Sequence, residues 1–436
     1  MRTDDAAQLR RLLARYETRA RLAADAGLVH VHLDDEPIRG PYVSINGRQV
    51  VSFGSCSYMA LNLDPRVTGA AIEAVGRYGI TYSSSTVYTS LRLYERLERL
   101  LSDITGGHVL VTPTTTLGHL AALPVLVGPG ARVVVDAQAH ASVHLAVQVL
   151  KAEGIPVDVL PHGDRELLVS TIAAAADRHD AVWYLADGVY SMFGDAAPVA
   201  LLAGLLDRHP NLHLYLDDAH GFSWHGWKGR GWVLERMRMH PRLVVALSLS
   251  KSFGSGGGAL AFGDPEVRER VRYLGGPLTF GGPLQVAELA AGVASAEIHL
   301  ADEHVERRAR MASHIELAGR TIRRIGLPVK PSAATPIWFV EIGRVEDTIE
   351  VGRRMLAEGH YLNPSSFPAV PIGMSGLRIS HTLHHDERQI VDMLTTLASH
   401  VADVLGEDLA VEIDLRDTDM ASPQVRRRSV APPETG

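Results

Sequence analysis

The residue in this sequence best suited to covalent chemistry is Lys251, which lies in the hydroxyl-rich run SLSKSFG at positions 248–254. Lysine occurs at only four positions among 43 basic residues, so arginine is the general-purpose cation of this chain. A lysine amine can lose its proton and form an imine with an aldehyde, whereas a guanidinium does not. We therefore interpret Lys251 as a carbonyl-binding amine, with an ordinary solvated lysine as the alternative.

Two carboxylates and an imidazole, Asp217, Asp218 and His220, follow another apolar run of strand length. Adjacent buried carboxylates repel each other and lose hydration, so at least one needs a cationic partner or a strong hydrogen bond. A protonated pyridine nitrogen is such a partner, and we assign it to Asp217. Asp218 need not take part in chemistry, and bracing of the loop is its simpler interpretation.

Hydroxyl side chains stand before a predicted helix (117–126), in the run TPTTT at positions 112–116. Hydroxyls and free amides at a helix N-terminus bind phosphate, although threonines there also serve as helix caps. Beside Lys251 and Asp217 the phosphate interpretation is favoured. The three features together predict pyridoxal 5′-phosphate (PLP), held by Lys251 as a Schiff base.

The elements that must position these residues are predicted between about residues 67 and 264, where apolar runs of strand length alternate with helical stretches. This alternation indicates a parallel sheet with crossover helices. Ligands of such sheets bind beyond the carboxyl ends of the strands, where Lys251 and Asp217 lie. The predicted strands are 108–111, 132–135, 180–185, 212–216, 243–247 and 259–262.

The sequence pattern of the remaining third of the chain predicts one long helix (284–325) followed by a smaller α+β unit. The elements of that unit are a strand (337–342), a helix (348–359), a strand (377–380) and a helix (387–405). We expect four segments: an N-terminal arm (1–60, with a helix over about 5–24), a large PLP-binding α/β domain (61–300), a small α+β domain (301–406) and a flexible tail (407–436).

Composition narrows the class of function. The net charge of -7 and a pI near 6.3 leave no basic surface for nucleic acid. Cys56 is the only cysteine, so an intrachain disulfide and a cysteine-based zinc site are excluded. No membrane segment and no metal site are predicted, and we expect a cytoplasmic protein that acts on small molecules.

Short motifs in a fixed order resemble the α-oxoamine synthases, which are fold-type I PLP enzymes. The matching runs are LDDAHG (216–221) with GRG (229–231), the segment 136–142 containing His140, GVYSM (188–192), SLSKSFG (248–254), and 368–371 through RIS (378–380). The resemblance covers about residues 40–405. It implies an α/β fold with a mainly parallel sheet flanked by helices, a smaller α+β C-terminal domain, and a homodimer with the active site between subunits.

The resemblance also assigns roles around the cofactor. Lys251 would hold PLP and move the α-proton, Asp217 would pair with the pyridine nitrogen, and His140 would stack on the ring. The ring hydroxyl oxygen would be bound by His220 and Ser191. The phosphate would be bound by Ser248, Thr114 and Thr115, with Thr279 supplying a hydroxyl across the dimer interface.

The resemblance also assigns the substrate-binding residues: Arg378 would bind the carboxylate of an amino acid, with Ser57 and Tyr58 as further contacts.

The positions expected to serve the acyl donor and the phosphate depart from the family pattern. Residues 82–85 read YSSS where relatives have a glycine-rich segment with an arginine, and Pro113 removes an amide from the phosphate turn. These departures suggest an enzyme of specialised metabolism that takes its acyl group from coenzyme A or from an acyl carrier protein.

The resemblance implies a condensation of an amino acid with an acyl thioester, followed by loss of carbon dioxide to give an α-amino ketone. An aminotransferase or a decarboxylase on the same fold is the alternative enzyme class. A binding protein without PLP is a third, more distant interpretation, which predicts a colourless protein.

Overall fold

A seven-stranded sheet with the order β3-β9-β8-β7-β6-β4-β5 forms the centre of the computed structural model. The model describes residue 14, residues 16–330 and residues 333–406. Strand β9 runs antiparallel to both of its neighbours, and the other neighbouring strands are parallel. The strands are β3 (His108–Thr112), β4 (Ala131–Asp136), β5 (Val157–Leu160), β6 (Ala181–Asp187), β7 (Leu212–Asp217), β8 (Leu243–Ser248) and β9 (Gly258–Phe262).

Both faces of this sheet are covered, which explains why its strands are continuous apolar runs rather than alternating ones. Successive residues of β8 enter two different apolar clusters, with Val245 and Leu247 in one and Val244 and Ala246 in the other. All six strands predicted for the first part of the chain are confirmed to within two residues. The short strand β5 was not predicted, because it has only four residues and Asp158 interrupts its apolar run.

Helices flank the sheet and continue into the C-terminal part of the chain. Their bounds are α1 (16–25), α2 (Pro65–Tyr78), α3 (Arg92–Thr105), α4 (Thr115–Leu126), α5 (Ala141–Ala152), α6 (Arg165–Ala176), α7 (Val199–Arg208), α8 (Trp232–Arg236), α9 (Pro265–Leu274), α10 (Gly276–Phe280), α11 (Val286–Leu300), α12 (Glu303–Ile325), α13 (Val345–Ala357) and α14 (Glu387–Leu405). Among the helices described here, none is long and apolar enough to cross a bilayer.

The long helix predicted over 284–325 is wrong, because the structure divides it into α11 and α12. Ala301 is extended, with φ −83° and ψ 157°, and ends α11. Asp302 precedes α12, whose first turn carries Glu303 and Glu306. Acidic side chains stabilise a helix N-terminus, so this acidic cluster was a signal for a second helix start that the apolar periodicity concealed.

Two small sheets complete the fold. One has the order β10-β13-β12, with β10 (Ile337–Gly343), β12 (Asn363–Ser365) and β13 (Ser375–Ser380), and both of its pairs are antiparallel. The other joins β1 (Tyr42–Ile45) and β2 (Arg48–Ser52) to β11 (His360–Tyr361). The domain boundaries at residues 60, 300 and 406 remain predictions, and the tail and residues 1–13 of the predicted N-terminal segment lie outside the described residues.

Candidate active site

The ionised carboxylate of the site is Asp217, the last residue of β7 and almost fully buried. Its Oδ2 accepts a hydrogen bond from Nε2 of His119 at 3.1 Å, and its Oδ1 accepts one from the amide of Ala219 at 3.0 Å. Burial raises the pKa of Asp217, but the His119 hydrogen bond and the positive charges of His119 and Lys251 outweigh it and lower the pKa to about 2. Asp217 is therefore an anion that retains free lone pairs.

A second carboxylate, Asp187, pairs in register with Asp217 across β6 and β7. Burial and the neighbouring charge of Asp217 raise the pKa of Asp187. Asp187 accepts a hydrogen bond from the backbone amide of His140 at 2.9 Å, whereas Asp217 receives one from the side chain of His119. Two close carboxylates do not both ionise readily. Because His119 hydrogen-bonds Asp217, the negative charge is more stable on Asp217 than on Asp187.

No hydrogen bond or ion pair engages the amine of Lys251 within the described residues. Of the other lysines, Lys330 pairs with Glu341 at 2.6 Å, Lys228 lies over the ring of Trp227, and Lys151 is exposed. Lys251 is half-buried and lies within the turn that follows β8. Its charge lowers the pKa values of Asp217, Cys56 and His220, which places the amine in the same site as those residues.

Tyr58 and His220 form a buried pair beside this amine. The hydroxyl of Tyr58 lies 2.8 Å from Nδ1 of His220. Burial lowers the pKa of His220 well below its ordinary value and raises the pKa of Tyr58, so both side chains are neutral. With Tyr58 donating to Nδ1, the imidazole proton is on Nε2, for which no acceptor exists in the described part of the chain. His220 can therefore donate this proton to a ligand oxygen.

Arg378, on β13, brings a buried cation to the site and is only 6% exposed. Its Nε donates to the carbonyl of Ser191 at 2.6 Å, and its Nη1 donates to the hydroxyl of Ser380 at 2.9 Å. Its Nη2 lies 3.6 Å from Sγ of Cys56 and 3.4 Å from the hydroxyl of Tyr58. No carboxylate of the described chain forms an ion pair with it, so its charge is available to an anionic ligand.

Hydroxyl groups cluster where α4 begins, next to β8 and β9. Thr114 caps α4 by accepting from the amide of Leu117 at 3.0 Å, which leaves its own proton for a ligand. Thr115 donates to the carbonyl of Leu247 at 3.2 Å, and the hydroxyls of Ser248 and Ser250 are 3.1 Å apart. The helix N-terminus adds backbone amides and a positive partial charge, an arrangement suited to phosphate.

The close approach of these elements depends on glycine at position 258. A Cβ there would lie 2.5 Å from the backbone nitrogen of Thr115, closer than real side-chain carbons come. Only glycine therefore allows β9 to pass the start of α4.

Asp218 has surroundings of a different kind, since it is fully buried among three glycines. A Cβ on Gly188, Gly221 or Gly231 would come within 2.4 Å of its carboxylate. Its Oδ2 accepts from the amide of Val233 at 2.9 Å. Burial raises its pKa to about 8, although that hydrogen bond opposes the shift. These contacts agree with the bracing role that is the simpler interpretation of Asp218.

The side chains of four predicted site residues form no hydrogen bond to these groups within the described residues. His140 caps α5, with Nδ1 2.6 Å from the hydroxyl of Ser142. Ser191 reaches Arg378 through its carbonyl, and its hydroxyl has no partner among the described residues. The backbone amide of Ser57 donates to Ser55, and the carbonyl of Thr279 accepts from the hydroxyl of Ser85 at 2.7 Å.

Three site residues escaped the sequence analysis: His119, Tyr215 and Cys56. His119 is fully buried and bonds Asp217 through Nε2 and the hydroxyl of Tyr215, at 2.8 Å, through Nδ1. A histidine in the middle of the apolar helix 115–126 was an available signal, because a buried imidazole requires polar partners. Cys56 gave no such signal, since its contact with Arg378 joins residues that are far apart in the chain.

Comparisons with known proteins identify the family and the fold of the chain. A family model described as aminotransferase class I and II matches residues 50–396. An 8-amino-7-oxononanoate synthase from Azoarcus sp. (strain BH72) is 31% identical over 390 residues, covering 88% of this chain and 97% of that protein.

Two solved structures share the fold. A serine palmitoyltransferase variant from S. paucimobilis, with a bound PLP–myriocin aldimine, matches with a TM-score of 0.82 at 24% identity, covering 92% of this chain and 99% of that one. A structure described as SPT with a PLP internal aldimine gives 0.81 at 25% identity, covering 91% and 98%.

Proposed function

The chain belongs to the class I and II aminotransferase family, in its α-oxoamine synthase branch, and we propose that it condenses an α-amino acid with an acyl thioester in a PLP-dependent reaction. Loss of carbon dioxide then leaves an α-amino ketone. The observation that carries this proposal is one site with an unpaired amine at Lys251, an ionised carboxylate at Asp217 and a buried cation at Arg378. Each of these groups has a matching group on PLP or on an amino acid.

The residues present fit PLP. Asp217 would hold the proton of the pyridine nitrogen, and the unpartnered Nε2 of His220 would donate to the ring hydroxyl oxygen. The start of α4, with Thr114, Thr115 and Ser248, would hold the phosphate. When bound, PLP supplies an electron sink that makes the α-carbon of an amino acid acidic.

The side chains of this chain then divide the remaining tasks. Lys251 Nζ takes the α-proton and returns it, since this amine has no competing hydrogen bond. Arg378 binds the amino-acid carboxylate, a planar match that guanidinium makes better than ammonium. Tyr58 fixes the orientation of His220 through Nδ1, and its own hydroxyl lies beside Arg378.

An acyl carrier protein is the donor that we favour over coenzyme A. The support is in the sequence, where residues 82–85 carry hydroxyls in place of the arginine and glycines of relatives. The single cysteine also supports the cytoplasm as the location of the reaction.

A homodimer is the assembly that we propose, because two neighbouring segments expose large apolar side chains. Phe280 is 91% exposed and Tyr88 83% exposed. The hydrogen bond from Ser85 to Thr279 joins the two segments. Extended exposed apolar patches mark interfaces. The other exposed large apolar side chains of the two segments are those of Ile80, Tyr82, Val87, Tyr273 and Leu274. Sedimentation of the native chain should show a dimer, and Phe280→Asp should shift the equilibrium towards monomer.

The reaction is tested by offering purified protein a panel of amino acids with coenzyme A thioesters and with carrier-bound thioesters. We expect free thiol and carbon dioxide to be released in equal amounts, and mass spectrometry to find an α-amino ketone. Arg378→Lys should raise the KM for the amino acid, whereas Arg320→Lys, at an exposed position on α12, should not.

Two outcomes would contradict the proposal. Acyl transfer without carbon dioxide release would change the reaction class and leave the cofactor assignment intact. Conversion of PLP to its amine form by a keto acid, with no acyl donor present, would instead identify an aminotransferase.

A further inference from the structure

The buried charge of Arg378 poses a question about the enzyme without substrate. An unpaired charge is costly to bury, yet no carboxylate pairs with Arg378 among the described residues. Two of its four close contacts are neutral oxygens, the carbonyl of Ser191 and the hydroxyl of Ser380. The other two contacts are the only ionisable ones, Cys56 and Tyr58.

Of these two ionisable groups, Tyr58 is unsuited to carry the negative charge. Its hydroxyl lies 2.8 Å from Nδ1 of His220, and burial raises its pKa well above the ordinary value. Burial raises the pKa of the Cys56 thiol too, but the charges of Arg378 and Lys251 outweigh that effect and lower it. The groups acting on Cys56 are therefore two cations on other elements and the Tyr58 hydroxyl on its own segment.

We propose that the thiolate of Cys56 balances the charge of Arg378 in the substrate-free enzyme, and that the substrate carboxylate displaces it while Cys56 takes up a proton from solvent. No covalent bond forms or breaks in this exchange. Cys56 is thus a specificity-determining residue, because a carboxylate must displace a thiolate to bind. The inference deepens the proposed function and rests on the role given there to Arg378.

The chain is well suited to a direct test, since Cys56 is its only cysteine. Cysteine labelled with an NMR-active carbon isotope gives one Cβ signal, which distinguishes thiol from thiolate whether or not reagents reach the site. In the apo-protein, where the amine of Lys251 is free, we expect the titration midpoint of Cys56 to lie below that of a free thiol. Arg378→Met should raise the midpoint by about 1 to 3 pH units, the range for losing an adjacent opposite charge.

Arg242→Met is the matched control for the loss of an arginine. Arg242 likewise forms no ion pair with a carboxylate of the described residues, and it donates to the carbonyls of Leu206, His209 and Leu212. The Arg242→Met variant should leave the titration midpoint of Cys56 unchanged. A native midpoint at or above that of a free thiol would overturn the inference, and this result does not require the Arg378 variant to fold.

The exchange itself is tested by calorimetry with propionate, which has a carboxylate but no amine. Titrations in buffers of different ionisation enthalpy should show uptake of about one proton per propionate bound in the native enzyme and none in Cys56→Ala. Binding without proton uptake in the native enzyme would overturn the inference and leave the proposed function standing. A lowered Cys56 midpoint with no binding of any carboxylate would instead refute the role of Arg378.

Discussion

Replacement of His119 by leucine tests the arrangement that keeps Asp217 ionised. His119 lies on α4 and is fully buried. Its two ring nitrogens are hydrogen-bonded to Asp217 and Tyr215, both on β7. Leucine has a similar size and no polar atom. The substitution therefore leaves one oxygen of Asp217 and the hydroxyl of Tyr215 without partners in the interior.

The expected loss of stability follows from these two groups. A hydrogen bond to a charged group contributes about 1.5 to 3 kcal/mol, and an unpartnered buried polar group costs about 1 to 3 kcal/mol. His119→Leu should accordingly lower the free energy of unfolding by about 3 to 5 kcal/mol. That loss is a large fraction of the stability of a typical domain, about 5 to 15 kcal/mol.

The substitution should also weaken cofactor binding. Burial raises the pKa of Asp217, and the His119 hydrogen bond is the largest effect opposing it. Without His119 the carboxylate is more readily protonated and loses its attraction for a charged pyridine nitrogen. Each unit of change in the pKa of Asp217 corresponds to about a tenfold change in the ratio of its ionised to its protonated form. PLP should therefore dissociate at least about tenfold more readily.

Urea denaturation of the apo-protein measures the first effect, and equilibrium dialysis of PLP together with its visible absorbance measures the second. His213→Leu is the matched control, because His213 lies on β7, the strand of Tyr215 and Asp217, and stacks on Trp183 with ring centroids 4.5 Å apart. The reasoning is refuted if His119→Leu retains native stability and native PLP affinity. Equal effects of the two variants would refute the specific role of His119.

Three further predictions concern other parts of the chain. Gly231→Ala should destabilise the fold by about 2 to 5 kcal/mol, because Gly231 has φ +102° and a Cβ would lie 2.3 Å from Asp218. Gly204→Ala, in α7 with nothing within 4 Å, should instead stabilise it by about 0.5 to 1 kcal/mol, and urea midpoints of the pair check both signs. Lowering the pH from about 7 to 5 should reduce stability, since burial lowers the pKa values of His299 and His385 to about 4. The unfolded chain then binds protons below about pH 6.5 that the folded chain does not, which costs about 2 kcal/mol per histidine at pH 5; a urea midpoint that does not fall would contradict this. Lys251→Ala should bind PLP without the visible band of a Schiff base, and an unchanged spectrum would remove Lys251 from its assigned role.

The large sheet could be predicted because both of its faces are buried. All six residues of β8 are buried and the first five are apolar, and such runs can be recognised in a sequence. In the small sheets the longer strands β10 and β13 agree with the predicted strands 337–342 and 377–380. The short strands were not predicted, since β11 has two residues and β12 has three, with Pro364 in its middle. Strand β11 pairs with β2, which is far away in the sequence, so local sequence patterns do not indicate this pairing.

The same distinction between local and distant contacts applies to the site. Lys251 and Asp217 could be predicted because each stands at the end of a legible strand, and the topology of a parallel sheet brings such ends together. Cys56 and Arg378 are 322 positions apart and meet only because β13 folds back against the loop before α2. The resemblance assigned roles to Arg378 and to Ser57 and Tyr58, but no local pattern indicates that the thiol of Cys56 contacts the guanidinium of Arg378. Their shared environment exists only in the folded chain, and so does the electrostatic reason for a thiolate at position 56.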